Sequence, residues 1–106
     1  DQAVGLFLFA KSGSHRFYSR MFAVDIPEDA ATGSATGPLG GYAVRYGLVE
    51  RARKISLVSE QGTRMGRQSF LHIELTYGES KDIPVKIEVG GSVMPVLRGT
   101  LSDLPA

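Results

Sequence analysis

Cysteine is missing from this sequence altogether. Its absence excludes a disulfide framework, a thiolate nucleophile, and zinc or iron–sulfur clusters held by cysteine. Histidine is scarce. His15 and His72 are far apart and form no H-x-E-x-H-like pair, so no catalytic zinc site is expected. An excess of charge of one sign is lacking too: 12 Lys and Arg face 11 Asp and Glu, a net +1. That balance creates no long-range field to draw nucleic acid or an acidic membrane surface. No apolar run approaches the roughly 20 residues that span a bilayer. No basic segment leads into a cleavable apolar stretch. Nucleic acid and membrane are therefore not expected partners, and the expected compartment is the cytoplasm.

What is present suits one small α+β domain over residues 1–106. The hydrophobic share of 42% and charged share of 22% are those of an ordinary globular chain. A chain of this length buries a modest fraction of its surface, so a partner surface would help it. It opens on Asp1-Gln2 and enters an apolar run at once, which reads as a cut inside a longer protein.

Val4–Ala10 is an apolar run with Phe7 and Phe9 on one face and Leu6 and Leu8 on the other, a pattern for a strand covered on both sides. A turn at Lys11–His15 leads to a second strand, Arg16–Asp25. A helix is expected to start between Gly33 and Pro38 and to end near Gly47, with Thr32 or Ser34 as its cap and Pro38 within about its first turn. Gly40, Gly41 and Gly47 each cost about 1 kcal/mol of helix propensity relative to Ala. Arg45 is the only charge between Gly33 and Val49, so the helix should be buried nearly all round. Tyr42 and Tyr46, four apart, can meet, with core packing as the default. Four strand candidates follow: Ile55–Ser59, Ser69–Tyr77, Pro84–Val89 and Ser92–Gly99. Leu71, Ile73, Leu75 and Tyr77 share one face of the clearest of them. A loop at Gln61–Gln68, a turn at Gly78–Asp82 and a Gly90-Gly91 hairpin join the four, and Leu101–Ala106 reads as a frayed tail. The sum is an antiparallel-dominated sheet, or a barrel, curled around one central helix.

Glu28–Ala35 (EDAATGSA) carries the chemistry. Free N–H groups at a helix start bind anions, and the small residues leave the backbone open to a ligand. A substrate carboxylate could rest on the amides around Gly33 and Ser34, with the Ser34 hydroxyl as a further donor. Asp29 would stand beside it as a proton donor or acceptor. Acids before a helix are also favoured for capping and dipole reasons alone. The G-x-S-x-G nucleophile motif and the P-loop are both absent.

Arg20-Met21-Phe22-Ala23 followed by EDAATGSATGPLGGYAVRYGL, and the later Gln61-Gly62-x-x-Met65-Gly66-Arg67-x-Ser69, resemble the PhzF family of phenazine biosynthesis. The resemblance runs from about Val4 to Gly99. It implies the diaminopimelate-epimerase-like fold, of which this chain would be the C-terminal half. Each half of that fold curls a sheet around a central helix, and the active site lies between the halves. It implies an isomerase that needs no cofactor or metal and moves a proton on a small carboxylate substrate. The related epimerases use a cysteine from each half; the lack of cysteine here fits the branch that uses acids. By motif position Asp29 is the acid/base residue, Ser34 contacts substrate, and the amides near Gly33 hold its carboxylate. The second acid, a glutamate, belongs to the N-terminal half, so that half is an expected partner and the chain alone should be inactive. Ala30 and Gln68 stand where the family has proline. The rival reading is a module that binds small anions or serves structure without catalysis.

Arg64 and Arg67 read as solvated loop charges, His72 and His15 as surface histidines, and Arg51, Arg53 and Lys54 as a solvated helix exit. Apolar surface left by the missing half should make the chain self-associate, as a homodimer for example.

Overall fold

The computed structural model describes residues 4–79 and 82–105. Five strands form one sheet in the order β1-β2-β3-β4-β5: β1 Gly5–Gly13, β2 Arg16–Ala23, β3 Lys54–Gln61, β4 Ser69–Thr76 and β5 Lys86–Gly90. The helix α1 spans Gly33–Arg45 between β2 and β3. Hairpin-linked neighbours pair antiparallel, while β2 and β3, separated by the helix, pair parallel. A crossover through a helix returns the chain in the same direction, which explains that one parallel pair.

One face of the sheet meets α1. Phe17, Ile55, Leu57, Ile73 and Leu75 are buried there against Leu39, Ala43 and Val44 of the helix, with Val49 and Tyr77. The alternation in β4 behaves as expected: Leu71, Ile73 and Leu75, and Tyr77 just past its end, are buried, and His72 and Glu74 are exposed. Gly40 lets the backbones close in, since a Cβ there would lie 2.9 Å from Ile73 Cγ2. Gly47 takes a positive φ of 74° and ends the helix. Leu48 N–H bonds to Ala43 O at 2.8 Å and Gly47 N–H to Val44 O at 3.2 Å, the paired bonds of a Schellman cap.

Several expectations are corrected. The sheet is open: β1 and β5 are its two edges and do not pair, so it is no barrel. It does curl towards the helix, because Phe9 of β1 touches Tyr42 and the side chains of Ile87 and Val89 in β5 approach Gly37. Five strands cover only one side of α1. The helix is therefore buried along Thr36, Gly37, Leu39, Gly40, Ala43 and Val44 and exposed at Ser34, Pro38, Tyr42 and Arg45, rather than buried all round. Tyr42 and Tyr46 do meet, with ring centroids 4.5 Å apart, but on the exposed side. Leu6 and Leu8 lie exposed on the far face of β1, so that strand is covered on one side only. The helix begins at Gly33, which puts Pro38 in its second turn and leaves the Ser34 carbonyl without its i+4 donor.

Ser92–Gly99 does not form the expected return strand, and residues 91–105 are exposed without regular structure. Its apolar residues come in adjacent pairs, Val93-Met94 and Val96-Leu97. Such a strand would need cover on both faces, which an edge strand with one solvated face cannot give, and Pro95 has no N–H to offer a ladder. The turn expected at Gly78–Asp82 lies partly outside the described residues, as do the chain's first residues and Ala106. Among the described residues, no helix is long and apolar enough to cross a membrane.

Candidate active site

The buried face of the sheet changes character along its length. Where the helix ends it is apolar. Where the helix begins it is polar, with Ser19 of β2, Ser59 and Gln61 of β3 and Thr36 of α1 all fully buried. Burying such groups is costly unless each finds a partner, and each does. Ser19 and Ser59 share a hydrogen bond at 2.9 Å between hydroxyls, and the Thr36 hydroxyl donates to Thr32 O. Gln61 turns its amide onto the loop between β2 and α1. Its Nε2 donates to Asp29 O and to Thr32 Oγ1, both at 2.9 Å, and its Oε1 accepts from the Thr32 N–H at 3.1 Å.

Asp29 is thereby fixed from two sides. Its N–H donates to Met21 O of β2 at 2.9 Å, while its carbonyl is held by Gln61. Its carboxylate is half-buried and accepts the Thr32 hydroxyl at Oδ2, 2.6 Å away. Glu28 points elsewhere. It meets Arg20 of β2 in a two-pronged pair, Nη2 to Oε1 at 2.8 Å and Nε to Oε2 at 3.1 Å. The hydrogen bond from Arg20 holds the Glu28 carboxyl below the usual carboxylate range, against the opposing effect of desolvation. Of the two adjacent acids, Glu28 is thus committed to an ion pair and Asp29 stands at the helix start.

Gly62 follows Gln61 and takes a positive φ of 81°. A Cβ there would run into Arg67 O and lie 2.7 Å from Ala30 O, so the Gly62 loop presses its backbone against the acid-bearing loop. A single turn of 3-10 helix, Thr63–Met65, continues it. Gln68 donates to Glu60 Oε2 at 3.0 Å, joined there by the Thr63 hydroxyl, and these two bonds hold the Glu60 carboxyl low. Arg64 and Arg67 are exposed, as are His15 and His72.

The helix start is open. Thr32 is the N-cap residue, yet its side chain makes no cap bond, because it is turned to Asp29. No acidic side chain occupies the first turn. Gly33 and Ser34 are exposed, with empty space where a Gly33 Cβ would be. The first N–H groups of a helix have no partner within it; the first helical bond is from Thr36 N–H to Thr32 O, so those of Gly33, Ser34 and Ala35 have none in the helix. Asp29 thus lies on the loop between β2 and α1, and Gly33 and Ser34 are the first two residues of α1. A shallow depression nearby is lined by Ala31, Gln68, Ser69, Leu71, Gly90 and Gly91 among others, but not by Asp29 or Ser34. Sequence reasoning missed Gln61 and weighed Thr32 only as a cap. The signal was the Gln-Gly pair, singled out as a motif but given no task.

A family model described as "Phenazine biosynthesis-like protein" matches residues 3–99. A trans-2,3-dihydro-3-hydroxyanthranilate isomerase of Pseudomonas chlororaphis is 36% identical over 103 residues, covering 95% of this chain and 34% of that protein. An isomerase of Clostridium acetobutylicum, described as uncharacterized, is 32% identical over 103 residues, covering 92% and 33%. A shorter stretch of 66 residues is 41% identical to the trans-2,3-dihydro-3-hydroxyanthranilate isomerase of Pseudomonas aeruginosa, covering 60% and 23%. The chain spans about a third of the length of the first two relatives.

Proposed function

The chain belongs to the phenazine biosynthesis-like (PhzC-PhzF) protein family, and from that membership we propose that it supplies one side of the active site of a cofactor-independent isomerase. The rest of the site comes from the N-terminal part of a longer, two-domain protein. The reaction is acid/base proton transfer on a small carboxylate. Asp29 takes a proton from, or returns one to, a substrate carbon. The outward N–H groups around Gly33 and the Ser34 hydroxyl receive the substrate's carboxylate, where the helix dipole favours negative charge. A second acid from the other half completes the transfer, so that a proton leaves one carbon and another arrives elsewhere with no change of oxidation state.

One observation carries this reading. A half-buried acid with its backbone fixed on both sides stands next to a helix start left uncapped by its own Thr32. In the complete protein, Asp29→Asn is expected to abolish solvent-deuterium incorporation into trans-2,3-dihydro-3-hydroxyanthranilate, the compound named for two of the relatives. The melting temperature should stay close to that of the parent. Undiminished incorporation by the Asn variant would remove Asp29 from the mechanism and favour a module that binds anions without catalysis.

A further inference from the structure

The hydrogen bonds around Gln61 leave no freedom in their direction. The Asp29 carbonyl can only accept and the Thr32 N–H can only donate, so the Gln61 amide has one possible orientation. Both Nε2 hydrogens are then spent, one on Asp29 O and one on Thr32 Oγ1. Thr32 Oγ1 is an acceptor in that bond. Its single proton therefore points at Asp29 Oδ2, 2.6 Å away. The other carboxylate oxygen accepts no hydrogen bond among the described residues.

We infer that Thr32 and Gln61 are positioning residues for Asp29: Gln61 sets the direction of the Thr32 hydroxyl, which holds one carboxylate oxygen and leaves the other free to exchange a proton with substrate. This rests on the acid/base reading of Asp29. The role goes beyond satisfying a buried amide. A threonine at an N-cap ordinarily turns its oxygen to the N–H groups of the first turn. Here that bond is forgone, which leaves those N–H groups to a ligand, and the same hydroxyl holds the Asp29 carboxylate instead. One side chain thus serves both halves of the proposed contact with substrate. Small errors in aim are expensive in proton transfer, because reacting atoms must meet at close range and in line.

The test uses the complete protein and the variants Thr32→Val, Thr32→Ser and Asp29→Asn. The first reading is the side-chain carboxyl 13C resonance of Asp29, assigned by its loss in Asp29→Asn; it needs no substrate. The second is kcat and KM with the same probe compound. Thr32→Val is expected to move the resonance and to lower kcat about tenfold with little change in KM. Thr32→Ser, which keeps the hydroxyl, should restore both. Should Thr32→Val fail to fold, Thr32→Ala takes its place. A resonance unmoved by loss of the hydroxyl overturns the inference even where Asp29→Asn is dead. So does a kcat that falls only in step with melting temperature and is not restored by serine. Full exchange in Asp29→Asn overturns the acid/base reading itself, whatever the resonance shows.

Discussion

Two acids sit side by side at positions 28 and 29, and in the sequence only the motif resemblance sets Asp29 apart. The fold does so through their partners. Arg20 projects from β2 and captures Glu28, while Asp29 turns to Thr32. The Arg20–Glu28 pair has a pH signature. The Glu28 carboxyl is held below its usual value, chiefly by the Arg20 hydrogen bond. A carboxylate with a lowered value in the folded state binds its proton less readily than in the unfolded chain, so its contribution is present above the unfolded value of about 4.3. It is lost as pH falls through the lowered value. Arg20→Gln should therefore be less stable than the parent chain at neutral pH, with the gap closing in acid below about pH 4. Urea titrations across that range read it, and added salt should narrow the gap. A gap that stays constant with pH would mean that Arg20 acts through packing, for instance over the Phe22 ring 4.9 Å away. What could not be read from sequence at this scale was Gln61. Its three bonds join residues about thirty positions apart, and only the parallel pairing of β2 and β3 brings them together.

At the scale of elements, the glycines of α1 divide by environment. Gly41 has nothing within 4 Å of where a Cβ would stand, whereas at Gly40 the methyl of Ile73 is 2.9 Å away. Gly41→Ala should stabilise the domain by about 0.5–1 kcal/mol through helix propensity alone. Gly40→Ala should gain nothing, because moving Ile73 off its close contact offsets the same propensity term. Chemical denaturation of both variants checks this, and equal gains would mean that helix and sheet do not press together as described. Most elements were legible because their signals are local. The period-two pattern of Ser69–Tyr77 and the small-residue helix after Asp29 both hold. The elements that went wrong depend on partners. A strand at Ser92–Gly99 needs two covering faces, and burial all round α1 needs a second layer. Neither is supplied by five strands. The parallel β2–β3 pair is visible only once the helix is known to pack on the same sheet.

The whole molecule is therefore a sheet layered on one helix, with apolar surface left exposed on several sides. Leu6 and Leu8 face outward from β1, Tyr42 and Tyr46 meet on the bare side of α1, and Val93, Met94, Val96 and Leu97 are 81–94% exposed. Isolated exposed apolar residues are common on proteins, but contiguous ones mark surfaces meant to be covered. The chain matches about a third of the length of its isomerase relatives; under the two-domain reading proposed above, the other part would cover them. Produced by itself, the 106-residue chain is expected to self-associate at high concentration, measured by light scattering. The segment after Gly91 should drive this, because its apolar pairs are the most exposed and its backbone makes no ladder. A chain ending at Gly91 should then scatter as a monomer. If it still associates, the contact is the Tyr42–Tyr46 face or the Leu6–Leu8 face, and Tyr42→Ser with Tyr46→Ser tells the two apart. A 106-residue chain that scatters as a strict monomer at all concentrations, with the shortened one no different, would mean that these surfaces need no cover at all.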